Sequence, residues 1–151
     1  MHDAPLSVDI VLVPVDGSEE SVTAVEYAVA IAEKYDASVH VLYILDEGIV
    51  RGIETDTLDV SVIAEETGAF VEDATAIAAE SGVSASSSTA YGFSTTQKTR
   101  HPGSVVLDAV EDVDADFIVV PREPMADEPG EILDRAAEYV LLYASQPVLS
   151  T

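Results

Sequence analysis

The side chains able to do chemistry fall in a few places. Asp16-Gly17-Ser18 ends an apolar run, where such a triplet serves simply to join a strand to a helix. Arg122 and Arg135 could each pair with a phosphate through two parallel N–H donors. The alternative for Arg135 is an ion pair with Glu131 or Glu138 on its own helix. Lys98, Arg100 and His101 cluster in one loop and could meet an anion or a partner, the plainer reading being a solvated loop tip. His40 lies inside a strand pattern and reads as a hydrogen-bonded core residue. His2 lies in a terminal tail expected to be mobile.

Catalytic signatures are absent. There is no HExxH, no GxSxG and no P-loop, and three scattered histidines without any cysteine make a poor metal inventory. The many carboxylates are not spaced as a pair in a cleft. We read the chain as a non-enzyme with no catalytic residue and no metal site.

Charge narrows the partners. With 29 acidic residues against 6 Lys and Arg, the net charge is −23, and the acids are spread along the whole chain. No basic stripe for a nucleic-acid backbone can be assembled from so few cations. A solvated acidic surface of this kind fits a salt-rich cytosol such as that of haloarchaea, where self-repulsion is screened within about 3 Å at 1 M salt. Hydrophobic residues make up 48% of the 151, enough for a core, and no apolar run approaches the roughly 20 residues of a membrane span. The N-terminus carries no signal-peptide pattern. A single cytoplasmic domain over 1–151 is expected, with 1–7 as a flexible tail.

The elements that must position these residues alternate. Val8 to Val15 is nearly all apolar and suits a strand buried on both faces, with Pro14 near its end. Ser18 is a candidate N-cap for a helix whose Val22, Val25, Val29 and Ala32 face inward, running to Tyr35. Ser38 to Leu45 reads as a second strand and Asp46 to about Thr57 as a polar loop. A helix over roughly Leu58 to Ser81 follows, with Ile63, Phe70, Ala74 and Ile77 on one side and Gly82 as its stop. Val83 to Tyr91 is a weak, serine-rich strand, and 92–102 a loop. A short helix starts at Ser104, a fourth strand covers Phe117 to Val120, and a last helix covers about Glu131 to Tyr143 with Leu133, Ala136, Val140 and Ala144 inward. Pro147 to Leu149 forms the fifth strand. Such alternation implies a parallel sheet with right-handed crossovers.

Two stretches carry a family resemblance. Ile10 to Ser21 (IVLVPVDGSEES), continued by Ala24-Val25-Glu26-Tyr27-Ala28, resembles the opening of the universal stress protein family. Asp116-Phe117-Ile118-Val119, with Ala137 to Leu141 and Pro147-Val148-Leu149, resembles its C-terminal half. The resemblance implies an α/β, Rossmann-like fold with a five-stranded parallel sheet in order 3-2-1-4-5 and helices on both faces. It places Asp16 and Gly17 at a nucleoside contact, and a homodimer through the strand at Pro147 to Leu149.

It also exposes a departure. Relatives that bind ATP carry GxxG-x9-G(S/T) after the fourth strand. Here Pro121, Pro124, Asp134 and Arg135 stand at those positions. Proline offers no N–H to a phosphate, and Glu123, Asp127, Glu128 and Glu131 would repel one by roughly 1 kcal/mol each at contact distance even in water. The expectation is the branch without a usable ATP motif and no bound cofactor, acting in regulation or protection through protein contacts. The alternative is a nucleotide-binding switch with an altered phosphate site using Asp16, Gly17, Arg122 and Arg135.

Overall fold

The computed structural model describes residues 7–45, 47–91, 102–121 and 131–151, and the side chains of 47–50, 91, 102 and 131–135 are left aside. Strand β1 (Ile10–Val15) leads to α1 (Glu19–Tyr35), β2 (Ser38–Leu45), α2 (Glu47–Glu54), α3 (Val60–Glu80) and β3 (Ala85–Tyr91). The chain continues through α4 (Pro102–Val113), β4 (Phe117–Val120), α5 (Glu131–Tyr143) and β5 (Val148–Ser150). The five strands form one parallel sheet in the order β3-β2-β1-β4-β5.

Period-two alternation divides the core between the two faces of the sheet. Val11, Val13 and Val15 join Val39, Val41, Tyr43 and Leu45 against α1 and α3. Leu12, Leu42, Ile44, Ile118 and Val120 face α4 and α5, where they meet Val106, Val110, Ala136, Ala137 and Val140. On this second side the helices come close. A Cβ added at Gly103 would run into the Tyr139 side chain, so glycine is what lets the start of α4 approach α5.

Asp116 fastens β4 to β1. Its carboxylate accepts the Asp9 N–H (3.1 and 3.0 Å to the two oxygens) and the Ile10 N–H (3.0 Å), while its own N–H donates to the Ile10 carbonyl at 3.0 Å. Two amides at the head of the central strand are thereby satisfied by a residue over a hundred positions away.

Four helices end alike. After α1, α2, α3 and α4 the residues Asp36, Asp56, Gly82 and Asp114 adopt left-handed φ of 56, 59, 71 and 58°. In each case the next amide reaches back five residues: Ala37 to Ala32, Thr57 to Gly52, Val83 to Ala78 and Ala115 to Val110, at 2.8 to 2.9 Å. This bond closes the last turn and occupies a carbonyl the helix leaves over.

Some expectations need correction. Glu47–Glu54 is helical, not a polar loop. Gly52 is buried in it, where a Cβ would overlap the Leu58 side chain, so the glycine serves packing. Val22 is 38% exposed and does not face the core, which α1 meets instead through Ser21, Ala24, Val25, Ala28, Val29 and Ala32. The small side chains carry that interface. Ala144, one residue past α5, does pack against the core as expected. The third helix begins at Val60 behind an Asp59 cap, the fourth already at Pro102, and the fifth strand is shifted one residue to Val148–Ser150. Residues 1–6 of the expected tail, His2 among them, lie outside the described residues.

Replacing Asp116 by Ala should destabilise the fold by about 1–3 kcal/mol, because two amide donors lose their acceptor. Asp116→Asn, which keeps one carbonyl oxygen, should lose less. Urea melts of the three proteins at the same molar salt measure the order, and equal midpoints would show that water replaces the carboxylate.

Candidate functional site

The crevice opens at the carboxyl ends of β1 and β4, where the strand order reverses direction from the centre of the sheet. Its width follows from one residue. Ser38 N–H donates to the Asp9 carbonyl (2.9 Å) and Asp116 N–H to the Ile10 carbonyl (3.0 Å), so odd positions of β1 bond to β2 and even ones to β4. Pro14 is even and has no N–H. The register with β2 runs on to Val15↔Tyr43, whereas that with β4 covers only Val11↔Phe117 and Leu12↔Ile118. The two strands part just where a ligand would enter.

Asp16 is held by its neighbours. Its Oδ1 accepts the Ser18 N–H at 3.0 Å and the Ser21 hydroxyl at 2.8 Å, and its own N–H donates to Ser21 Oγ at 2.9 Å. Ser21 is completely buried, and its only hydroxyl proton is on Asp16. The 3.1 Å contact between Ser18 and Ser21 is therefore donated by Ser18, whose oxygen also caps α1 by accepting the Ser21 N–H at 3.3 Å. The second oxygen, Asp16 Oδ2, is buried with no hydrogen-bond partner among the described residues, as is Glu20 Oε1 in the first turn of α1. A carboxylate oriented through one oxygen and vacant at the other can accept a hydroxyl or amine from a ligand.

Gly17 is required by its surroundings. Its φ is +88°, and a Cβ there would lie 2.6 Å from the Tyr43 hydroxyl oxygen. That hydroxyl donates to the Asp16 carbonyl at 3.3 Å, while the Tyr43 ring meets Phe70 of α3 edge to face, centroids 5.8 Å apart. Tyr43 thus links the turn to the α3 layer.

Ser21 and Tyr43 were not singled out from the sequence. Ser21 follows Ser18 by three, the spacing of a capping partner. Tyr43 could have been found only from the strand register.

On the phosphate side, Pro121 is buried directly after β4. Arg122, Glu123, Pro124, Asp127, Glu128 and Pro129 lie outside the described residues, as do Lys98, Arg100 and His101. Asp134 and Arg135 belong to α5, and their side chains are not described. Among the described residues no group of three His, Asp or Glu could hold a metal ion, and no helix is long and apolar enough to cross a membrane.

His40 is buried on the α4 side of the sheet, as a hydrogen-bonded core residue should be. Its Nδ1 lies 2.8 Å from Ser86 Oγ and its Nε2 2.8 Å from Ser88 Oγ, both on β3. Burial pushes its pKa below the usual 6.5, favouring the neutral ring.

The model of the universal stress protein family matches residues 7–150. The chain belongs to this family. A universal stress protein of Methanocaldococcus jannaschii is 26% identical over 142 residues, 92% of this chain and 79% of that one. Among solved structures, the universal stress protein UspA from Lactobacillus plantarum superposes with a TM-score of 0.72 at 21% identity, covering 96% of this chain and 98% of that one. A universal stress protein in complex with cAMP gives 0.66 at 20% identity, with 97% and 98% covered. The fold is that of the family, in the strand order the resemblance implied.

Gly17→Ala should destabilise this universal stress protein by about 1–3 kcal/mol, from the left-handed backbone and the contact with Tyr43. Tyr43→Phe removes the oxygen from that contact, so the same substitution should cost less in a Tyr43→Phe background. A double-mutant cycle by urea unfolding gives the coupling. A coupling of zero would mean that only the backbone term operates.

Proposed function

We propose that this universal stress protein acts in regulation or protection through protein contacts in a salt-loaded cytosol, by binding and not by turnover, and without tight ATP binding. The observation that carries this reading is Pro121, buried at the end of β4 where the first phosphate-binding glycine would stand. A phosphate site at a strand-to-helix loop depends on backbone N–H groups at close approach. Pro121, Pro124 and Pro129 have none to give, and the acids among 123–131 oppose a triphosphate. The charge of −23 supports the salt-adapted part of the reading, because spread carboxylates repel one another less when screened.

A second reading rests on Asp16. Its partnerless oxygen, set in a turn that three hydrogen bonds fix, suits the sugar or base of a nucleoside. One structural relative is in complex with cAMP, a ligand with a single phosphate. A nucleotide switch with an altered phosphate site would use Asp16 and Gly17 for the nucleoside, and Arg122 or Arg135 for what phosphate there is.

Calorimetry at molar KCl separates the two. The first reading expects ATP with Mg²⁺ to bind more weakly than millimolar, and a micromolar constant would overturn it. Binding of cAMP or adenosine that is lost in Asp16→Ala, with ATP still weak, would favour the second.

We also propose a homodimer across the β5 edge. An open apolar edge is an aggregation hazard, and pairing removes it. In the last turn of α5, Leu141, Leu142 and Tyr143 are 46, 75 and 64% exposed, next to a β5 whose Val148 and Leu149 are only partly covered. Clustered exposed apolar residues of this kind mark contact surfaces. Val148→Asp or Leu149→Asp should give monomers by placing an unpaired carboxylate in the seam. Leu142→Asp should do the same without disturbing the core, since Leu142 is already exposed. Light scattering at molar salt is the measurement. A wild-type monomer at tens of micromolar rules the dimer out, and a dimer indifferent to all three changes lies elsewhere.

A further inference from the structure

The His40 cluster has more in it than a satisfied core histidine requires. A neutral imidazole carries one N–H and one lone pair, and both ring nitrogens here are 2.8 Å from a serine oxygen. Whichever tautomer is present, one of Ser86 and Ser88 must donate its hydroxyl proton to the ring. The ring is buried, yet both serines are exposed on β3, an edge strand of the sheet. An accessible hydroxyl hydrogen-bonded to a neutral imidazole is the pairing of a nucleophile with its base.

The edge contributes a second element. Val39 N–H donates to the Ser84 carbonyl at 2.9 Å, so the even-numbered residues of β3 bond to β2. By the alternation of a parallel ladder, the amides of Ser87 and Thr89 point to the outer edge. The Ser87 N–H thus lies at the open edge of β3, between the two candidate serines in sequence.

We propose that Ser86, His40 and Ser88 form a covalent acyl-acceptor site, in which the serine donating to His40 takes an acyl group from a neutral activated ester. The serine Oγ forms a bond to the acyl carbon as its proton passes to the free ring nitrogen. The carbon–oxygen bond to the leaving alcohol then breaks, and the ring returns the proton to that alcohol. The products are an O-acyl serine and a free alcohol, with His40 neutral again and no oxidant or reductant involved. A neutral donor suits the cluster, because burial keeps the His40 ring uncharged and so offers an anionic carrier no opposite charge there. One acyl group per chain is sufficient, so the site is a modification site and requires no turnover.

The probe is p-nitrophenyl acetate, applied to the full chain at molar KCl and followed by intact mass and peptide mapping. The native protein should gain one acetyl group, on Ser86 or Ser88, and the urea-unfolded chain should not. His40→Gln should slow labelling by about 100-fold, the usual contribution of a positioned general base. Of Ser86→Ala and Ser88→Ala, one should abolish labelling and the other retain it. Both serines are exposed, so these variants carry the test even if His40→Gln fails to fold. An adduct mapped elsewhere, equal labelling of the unfolded chain, or a rate unchanged in folded His40→Gln would each overturn the proposal.

Discussion

Everything in this molecule is arranged around a central strand that has no solvent-facing side. Val11, Leu12, Val13 and Val15 are each 0% exposed, with α1 and α3 behind one face of the sheet and α4 and α5 behind the other. A strand buried on both faces must be flanked on both edges as well, or its amides would be orphaned in the core. β2 and β4 provide this along the strand, and the Asp116 carboxylate provides it at the head, where β4 has not yet begun. The strand order that results puts the chain reversal, and so the crevice, beside the same strand. Fold and site are two consequences of covering one apolar run.

This explains what could be read from the sequence. A near-continuous apolar run at 8–15, followed by Asp-Gly-Ser and a helix, admits few other arrangements, and the strands and long helices were legible within a few residues. The failures have a common cause. Glu47–Glu54 was read as part of a polar loop, when it is a helix in which Gly52 leaves space to Leu58. Val22 was placed inward by its three- and four-residue spacing with Val25, Val29 and Ala32, when α1 meets the sheet through Ser21, Ala24, Val25, Ala28, Val29 and Ala32. Local propensity does not contain the distance between layers. At the site, Asp16 and Gly17 were visible as a turn. The vacancy at Asp16 Oδ2 and the fit of Tyr43 over Gly17 depend on strand register, which no single segment encodes.

The acidity of the chain reaches into its local structure. Left-handed helix ends normally favour glycine, yet three of the four described here use aspartate. Each puts a side chain in a strained backbone region and a carboxylate at the negative end of a helix dipole, an unfavourable contact of about 0.3–1 kcal/mol in dilute salt. Screening at molar salt removes much of the electrostatic part and leaves the backbone part untouched. Asp36, Asp56 and Asp114 are therefore better tolerated in concentrated salt than in dilute salt. The hydrogen bonds that close these turns come from the following amides, which is why the turn survives the change of residue.

The two halves of the crevice are built on different physics. The Asp16 half is rigid by construction: Ser21 is buried and fully committed, Ser18 caps the helix, and Tyr43 fixes the carbonyl from the neighbouring strand. Such preorganisation lowers the ordering term for whatever binds there. The β4 half starts from a buried proline, which has no N–H, and the sequence that follows carries Pro124, Pro129 and several acids. A change in the β4 half need not disturb the other, because the bonds that hold Asp16 come from the Ser18 cap, the start of α1 and β2. The Asp16 turn therefore keeps its geometry whatever stands in the loop after β4.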